Sequence, residues 1–503
     1  MTTTRKSRLS TLLSHFTPLA IIRWFFPSPP SILASSVPGD VILGLQKRHE
    51  AFLFFRIETV DCFKRHLKSH VLREISSTLD VVRWDEEIKT HRQHHPGKPL
   101  ESVRGLNLAF SAMGLAKLGV NVNSTFPSDL AFKEGQEVDA LEHLGDPRKC
   151  GELTTWKEAY KGRHIDGCLI VTAPTLHILD HQVDKVLKQL NRSITLVKRK
   201  NGAARPAPHA GHEHFGFRDG VTRPTIVGFN DQHRPPGESA SPASVFLLPS
   251  SNDKEKKWLE NGTFMVFREL QQKVPEFEEW CRATAKSGPK EVSEGLIAAR
   301  LVGRWKDVPL VLSPTQPQGY LENDVRLVNG FDFSNDLSQE ACPYAAHIRK
   351  ANPRCCAATG LPYPETHRIL RSGIPYGREV TDIERAANKT LHERGLYFVC
   401  YQSSIERGFQ HIQSKQLNAS RFPPANSARI LDVGQDLIAG QNPCEEKGPA
   451  VRTAQGIRPG DEQLCTNTVS AEPFVVPRGG EYFFMPSIPG LKYLVELKTP
   501  STG

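Results

Sequence analysis

Residues 52–56, FLFFR, and residues 264–268, FMVFR, decide the fold, because each is a compact aromatic segment that leads into a helical pattern. Apolar residues then recur three or four positions apart, which is the spacing of an amphipathic helix. In the first copy these residues are Val60, Phe63, Leu67 and Val71, and in the second they are Val274, Phe277 and Trp280. The two segments therefore predict one strand–helix unit that occurs twice.

A second pair of segments repeats in the same order. CLIVTAP (168–174) precedes the helical pattern LHILDHQVDKVL (176–187), and YFVCYQS (397–403) precedes IERGFQHIQ (405–413). Two halves with strand–helix units at corresponding positions favour tandem α+β domains, each with an antiparallel sheet and helices on one face. By contrast, residues 420–429 and the following stretch to about residue 470 lack helical or strand periodicity and are expected to wrap the surface.

Three regions are predicted along the chain. Residues 1–39 form a basic extension without acidic residues, residues 40–225 form the N-terminal domain, and residues 226–503 form the C-terminal domain. The extension is expected to be disordered or a targeting segment, since Arg, Ser and Thr without acids also compose mitochondrial transit peptides. Its apolar patch at 19–26 is interrupted by Arg23 and is far too short to span a bilayer, so no membrane partner is expected.

Charge and cysteine content limit the partners and the compartment. The chain of 503 residues carries a formal net charge of +9, but its basic residues are scattered, so nucleic-acid binding is not expected. Ten cysteines without a CxxC motif fit a reducing compartment, which favours the cytosol. A mitochondrial location stays open, and a secreted one does too because of five N-x-S/T triplets, at Asn123, Asn191, Asn261, Asn388 and Asn418.

Three short segments carry the chemistry of the chain. They are GFRDGVTRP at 216–224, CPYAAHIRKANPR at 342–354 and LRSGIPYG at 370–377. Taken alone, each has a simple structural explanation: a Gly/Asp turn, a surface histidine and a Pro/Gly loop. Together they supply Asp219, His347 and Arg371, the side chains that a haem peroxidase needs. A histidine binds the iron, a carboxylate moves a peroxide proton, and an arginine stabilises charge as the O–O bond breaks.

The order of these segments resembles the dye-decolorizing peroxidase family, fungal members in particular. In that family a GxxDG motif, a later HIRxxNPR segment and a still later Arg before a Pro/Gly loop recur. Further similar stretches lie at 39–57, 213–229, 261–272, 301–305, 397–413 and 479–488. The resemblance implies two tandem ferredoxin-like domains of the dimeric α+β barrel type, with haem held between the sheets. This agrees with the fold expected from the repeated segments.

The resemblance also implies a role for each motif residue. His347 would bind the haem iron and donate its other ring nitrogen to a carboxylate, for which Asp436 is the candidate. Asp219 would act as the acid–base group, and Arg371 would stabilise charge and contact haem. The remaining haem contacts would be Gly220, Val221, Thr222, Asn352, Pro353 and Arg354.

The implied activity is that of a haem b peroxidase with one haem per chain. It would use hydrogen peroxide, through an oxoferryl state, to oxidise organic donors such as dyes and phenols. A haem-binding or haem-handling protein with little turnover is the alternative, and a purely structural duplicated α+β protein is a third reading. The presence of both Asp219 and Arg371 favours the enzyme, since a carrier needs only the His347 ligand. The oligomeric state is left open.

Overall fold

A computed structural model of the chain describes residues 34–221, 223–230, 238–287, 292–306, 329–355, 363–424, 432–443, 451–460 and 468–498. Nine strands in these ranges form one antiparallel sheet. They are β1 His49–Ile57, β2 Gly105–Phe110, β3 Gly167–Ala173, β4 Ile194–Ala203, β5 Thr263–Gln272, β6 Leu370–Arg371, β7 Ile374–Tyr376, β8 Gly395–Gln402 and β9 Val475–Met485.

The strand order repeats from one half of the sheet to the other. Neighbouring strands run β4-β1-β3-β2 and then β9-β5-β8-β6, and β7 also pairs with β8. In the second half the short strands β6 and β7 together take the place of a second strand, so that β8 counts as the third and β9 as the fourth. Within each half, the first strand in the chain then lies between the fourth and the third, as in a ferredoxin-like domain. The two similar aromatic segments are the first strands, and the second pair of segments are the third strands. The predicted duplicated α+β fold is confirmed.

The two half-sheets join and curve into a barrel. Strand β2 meets β9 at Phe110 and Phe484, and β4 approaches β7 at the far ends, where Gly202 lies against Ile374. Aromatic rings fill the space enclosed between the half-sheets. Phe267 lies 4.9 Å from Phe52 and 4.9 Å from Phe54, measured between ring centroids. These rings pack the barrel interior, and the cavity described below lies on the other face of strand β5. The expected position of haem between the sheets stays a prediction.

The helices cover the outer faces of the sheet. The longer α-helices are Val60–His66, Thr78–His94, Leu176–Leu190, Val274–Lys286, Glu294–Val302 and Ile488–Glu496. Shorter α-helices are Gly39–Ile42, Ala112–Lys117, Val122–Thr125, Leu130–Glu134, Gln136–Asp139, His347–Ala351 and Asp382–Ala387, and π-helical turns are Leu67–Val71, Ala140–Leu144, Glu406–Gln410 and Ile412–Leu417. The helical faces predicted from periodicity are buried, as Phe63, Leu67 and Phe277 show.

Two short ribbons complete the described structure. Arg148–Lys149 pairs with Glu152–Leu153, and Arg452–Gln455 pairs with Thr468–Ala471. The second ribbon corrects the expectation that residues 420 to about 470 only wrap the surface, since this region contains paired strand residues and the fully buried Asp436. No helix among the described residues is long and apolar enough to cross a membrane. The domain boundary near residue 225 stays a prediction; it lies between β4 and β5.

Candidate active site

A large cavity lies on the outer face of the second half-sheet. Alternate side chains of β5, namely Arg268, Leu270 and Gln272, line it, whereas Phe267 packs on the opposite face inside the barrel. Its remaining walls are mainly apolar and come from several segments: Phe215, Phe217, Val302, Phe331, Ile348, Leu396, Phe398, Phe409, Ile412, Leu417, Ile438 and Val475. A cavity of this composition suits a large, flat, apolar ligand that carries a few polar groups.

His347 lines this cavity from the first position of helix His347–Ala351. Its Nδ1 lies 2.5 Å from Oδ2 of Asp436, whose other oxygen accepts hydrogen bonds from the backbone N–H groups of Ile438 (2.7 Å) and Ala439 (3.2 Å). Burial alone would raise the pKa of Asp436. The charge and hydrogen bond of His347, together with the two N–H groups, outweigh burial and lower it. With Nδ1 committed to Asp436, Nε2 is the ring nitrogen available to a metal.

Asp219 and Arg371 form a second polar pair that lines the cavity. Oδ1 of Asp219 accepts from Nη1 of Arg371 at 2.8 Å and from the backbone N–H of Gly220 at 2.7 Å. Both side chains are half-buried. Burial acts to raise the pKa of Asp219, but the charge of Arg371 and these two hydrogen bonds lower it below its ordinary value. Asp219 is therefore a carboxylate at neutral and mildly acidic pH.

The turn that presents Asp219 is built around Glu213. The Glu213 carboxylate accepts the backbone N–H groups of Phe215 and Phe217, each at 2.8 Å, and its carbonyl accepts the N–H of Gly216 at 2.9 Å. Gly216 has a φ of +93°, which L side chains rarely adopt. The backbone conformation thus requires a glycine at position 216, three residues before Asp219, while Glu213 holds the turn closed.

Several arginines give the cavity an excess of positive charge. Arg304 is buried, and its pKa falls to about 9, first because of burial and then because Arg354, Arg371 and Arg218 lie near it. Arg354 donates from Nη1 to the carbonyls of Asn329 (2.8 Å) and Phe331 (2.6 Å). Cations crowded around an apolar cavity indicate an anionic ligand.

Only some of the predicted cofactor contacts line the cavity. Val221, Asn352 and Arg354 line the cavity, whereas Gly220 and Pro353 do not. Thr222 lies outside the described residues. Motif reasoning missed four lining arginines, namely Arg218, Arg268, Arg304 and Arg368. Arg218 lies inside the GFRDG segment and Arg304 inside LVGRW, so the signal that could have found them was a cation within a motif already singled out.

The residues present fit haem. His347 offers a ring nitrogen for iron, the walls are apolar, and the arginines could donate hydrogen bonds to two propionates. In addition, Nε and Nη1 of the buried Arg268 have no hydrogen-bond partner among the described residues, and neither has Oε1 of Gln272. Unsatisfied buried polar atoms in a cavity wall are expected where a polar ligand or bound water completes the site.

The fold, the cavity and its two polar pairs together define a haem peroxidase. Comparisons with known proteins agree. Residues 36–206 match the model of the DyP dimeric alpha+beta barrel domain, and residues 300–423 match that of the Dyp-type peroxidase C-terminal region. A dye-decolorizing peroxidase of Mycetinis scorodonius is 34% identical over 92% of this chain and 88% of its own length. One of Auricularia auricula-judae is 34% identical over 97% of this chain and 91% of its own length.

Solved structures give the same result. A variant of the dye-decolorizing peroxidase from Pleurotus ostreatus superposes with a TM-score of 0.83 at 35% identity, covering 93% of this chain and 100% of that one. The chain belongs to the dye-decolorizing peroxidase family. It is an oxidoreductase of the peroxidase class that uses haem, and the expectations drawn from the sequence on family, fold class and enzyme class are confirmed.

Proposed function

We propose that the chain binds one haem b and uses hydrogen peroxide to oxidise small phenols and organic dyes. The observation that carries this proposal is the meeting, in one apolar cavity, of His347 with its buried carboxylate partner and of Asp219 paired with Arg371. Bound haem would supply the iron at which peroxide is reduced to water and through which the oxidising equivalents of peroxide pass to the donor. A carrier would need the histidine alone, so the presence of the Asp219–Arg371 pair favours turnover.

His347 is the proposed iron ligand, and Asp436 is its proposed partner. The Asp436 carboxylate holds Nδ1–H, which fixes the tautomer in which Nε2 carries the lone pair. A carboxylate acceptor also makes the imidazole a stronger electron donor. The backbone N–H groups of Ile438 and Ala439 hold this carboxylate in place, so the orientation of the ring is set by a buried and fully hydrogen-bonded group.

Asp219 is the proposed proton acceptor and donor. Its Oδ1 is committed to Arg371 and Gly220, and among the described residues nothing bonds to Oδ2. Oδ2 is therefore the atom that would take a proton from peroxide and return it to the departing oxygen as water forms. The lowered pKa keeps Asp219 ready to accept a proton even in acid.

Arg371 is proposed to stabilise the negative charge that develops on the departing oxygen. Its guanidinium supplies a positive charge, and its hydrogen bond to Asp219 fixes its direction. Strand pairing of Arg371 with Cys400 places the side chain at the cavity from a rigid element. A positioned, permanent charge of this kind requires little reorganisation during the reaction.

Donor chemistry is proposed from a relative. One solved dye-decolorizing peroxidase, 34% identical to this chain, is a complex with 2,6-dimethoxyphenol. We therefore expect methoxyphenols to be donors here too. We also propose that the chain works in a reducing compartment such as the cytosol. Six of the described cysteines are free thiols, and four of them are buried: Cys62, Cys150, Cys168, Cys281, Cys342 and Cys400 are free, and the last four are the buried ones.

Addition of peroxide to the purified protein loaded with haem tests the function. We expect a Soret band that changes within the mixing time and returns when 2,6-dimethoxyphenol is added, together with formation of the phenol's oxidation product. A Soret band that does not respond to peroxide would support the haem carrier instead. A protein that takes up no haem would support neither reading.

A further inference from the structure

Lys350 lies on the helix that carries His347, and its charged end is buried in backbone. Its side chain is 0% exposed, and Nζ donates to the carbonyl oxygens of Ala419 (2.8 Å) and Gly434 (2.9 Å) and also to that of Phe422. An ammonium group has three protons, so these three acceptors satisfy it completely. A buried lysine without a carboxylate partner is unusual, and it calls for an explanation beyond packing.

The three carbonyls belong to the segment that delivers Asp436. Ala419 and Phe422 lie before this residue in the chain, and Gly434 lies only two positions before it. The backbone N–H of Asp436 in turn donates to the carbonyl of Leu417 at 3.0 Å. Lys350 therefore binds three carbonyl groups of the backbone segment that carries Asp436, the hydrogen-bond partner of His347.

The helix that carries both His347 and Lys350 also depends on the contacts made by Lys350. The helix His347–Ala351 has five residues, too few to be stable by itself, so its orientation depends on tertiary contacts. His347 and Lys350 are three positions apart and therefore share one side of this helix. A single bonded lysine thus fixes the rotation of the helix and the position of the Asp436 segment at the same time.

We infer that Lys350 is a positioning residue for the His347–Asp436 hydrogen bond. It neither touches peroxide nor binds iron; it sets the distance and angle at which Asp436 meets Nδ1 of His347. The inference rests on the proposed role of His347 as the iron ligand. If it is right, loss of Lys350 weakens the electron donation from His347 in the same direction as loss of the Asp436 carboxylate.

The test uses the full chain loaded with haem and measures two properties other than turnover. They are the ferric/ferrous midpoint potential and the iron–histidine stretching band of the ferrous protein. Asp436→Asn is expected to raise the potential and lower the band frequency, because a neutral amide accepts the Nδ1 proton less strongly. Lys350→Met is expected to shift both in the same direction. The double variant is expected to move no further than Asp436→Asn alone, since both changes act on one hydrogen bond.

A matched variant keeps the test decisive if Lys350→Met does not fold. Lys350→Arg retains the charge, but its flat guanidinium cannot reproduce three converging bonds, so a smaller shift in the same direction is expected. Wild-type potential and band in the folded Lys350 variants, or shifts that simply add to those of Asp436→Asn, would overturn the inference. An Asp436→Asn protein identical to wild type would instead overturn the proposed His347–Asp436 pair.

Discussion

Asp219 and Arg371, 152 residues apart in the chain, form an ion pair of 2.8 Å in the wall of one cavity. Asp219 comes from a loop after the first half-sheet, and Arg371 comes from strand β6 of the second. The pair therefore exists only when both halves of the chain have folded against each other. Two of the predictions below follow from it.

Replacement of Arg371 by Leu should slow the reaction with peroxide strongly. Loss of one positioned donor to a developing oxyanion typically costs roughly 2.7–4 kcal/mol, which corresponds to about 100- to 1,000-fold in rate. Stopped-flow measurement of the Soret change after mixing with peroxide gives this rate. Arg378→Leu, at an exposed position shortly after strand β7, is the control and should react like wild type. A wild-type rate in Arg371→Leu would contradict the proposed role.

The decrease in the rate of the peroxide reaction at low pH should reflect protonation of Asp219. Because its pKa is lowered from 3.8, the carboxylate persists in acid, and the rate should fall only when the pH drops below that value. In Arg371→Leu the charge that contributes most to lowering the pKa of Asp219 is gone. The rate should therefore begin to fall at a higher pH than in the wild type. Asp219→Asn should react slowly at every pH, and its rate should show no further decrease at low pH. A decrease at low pH that is unchanged in Asp219→Asn would assign it to another group.

His347→Ala should prevent stable haem incorporation, since the iron loses its proposed protein ligand. The ratio of Soret to protein absorbance after gel filtration measures the haem content. His177→Ala, an exposed histidine on helix Leu176–Leu190, provides the matched control and should bind haem fully. Full haem content with an unchanged spectrum in His347→Ala would show that another histidine binds the iron.

A buried ion pair away from the cavity should control stability in acid. Glu384 and Arg394 are both 0% exposed, and Oε1 and Oε2 of Glu384 accept from Nη2 at 2.8 and 2.6 Å. Burial acts to raise the pKa of Glu384, but Arg394 and nearby backbone N–H groups lower it below 4.5. A lowered folded-state pKa means that the pair's contribution is complete above about pH 4.5 and is lost as the pH falls further.

Arg394→Met should reduce the free energy of unfolding by about 3–5 kcal/mol at neutral pH, because it leaves a buried carboxylate without its partner. Urea titration followed by circular dichroism measures the change. The double variant Glu384→Gln with Arg394→Met should recover part of the loss, since the stranded charge is then absent. A double variant that is less stable than Arg394→Met would show that the charge is not the cause.

Local patterns in the sequence were sufficient for the duplicated fold. The aromatic segments and the helical spacing after them depend on neighbours in the chain, and strands β1 and β5 lie where these patterns predict. The same holds for the GFRDG turn, where Gly216 reflects a backbone requirement. The structure also brings Asp219, His347 and Arg371 into one cavity, and their roles stay predictions.

Long-range contacts were beyond sequence reasoning. Arg268 lines the cavity because it alternates with Phe267 along a strand that has the cavity on one face and the barrel interior on the other. Nothing in its own segment tells which face is which. The region around Asp436 gave no periodic signal, since a segment held by side chain-to-backbone bonds has no repeating pattern. No local sequence motif marks Asp436, and the structure places it against His347.

The pairing of β5 with β9 has a consequence for biosynthesis. Strand β5, which forms the floor of the cavity, is flanked on one side by a strand that is translated roughly 200 residues later. Val475 of that late strand is itself part of the cavity wall. A nascent chain that has emerged only as far as His347 carries its proposed iron ligand before the pocket can close. Firm retention of the cofactor should therefore come only after strand β9 has been translated and has paired with β5, and long-range pairing of this kind makes the final assembly slow.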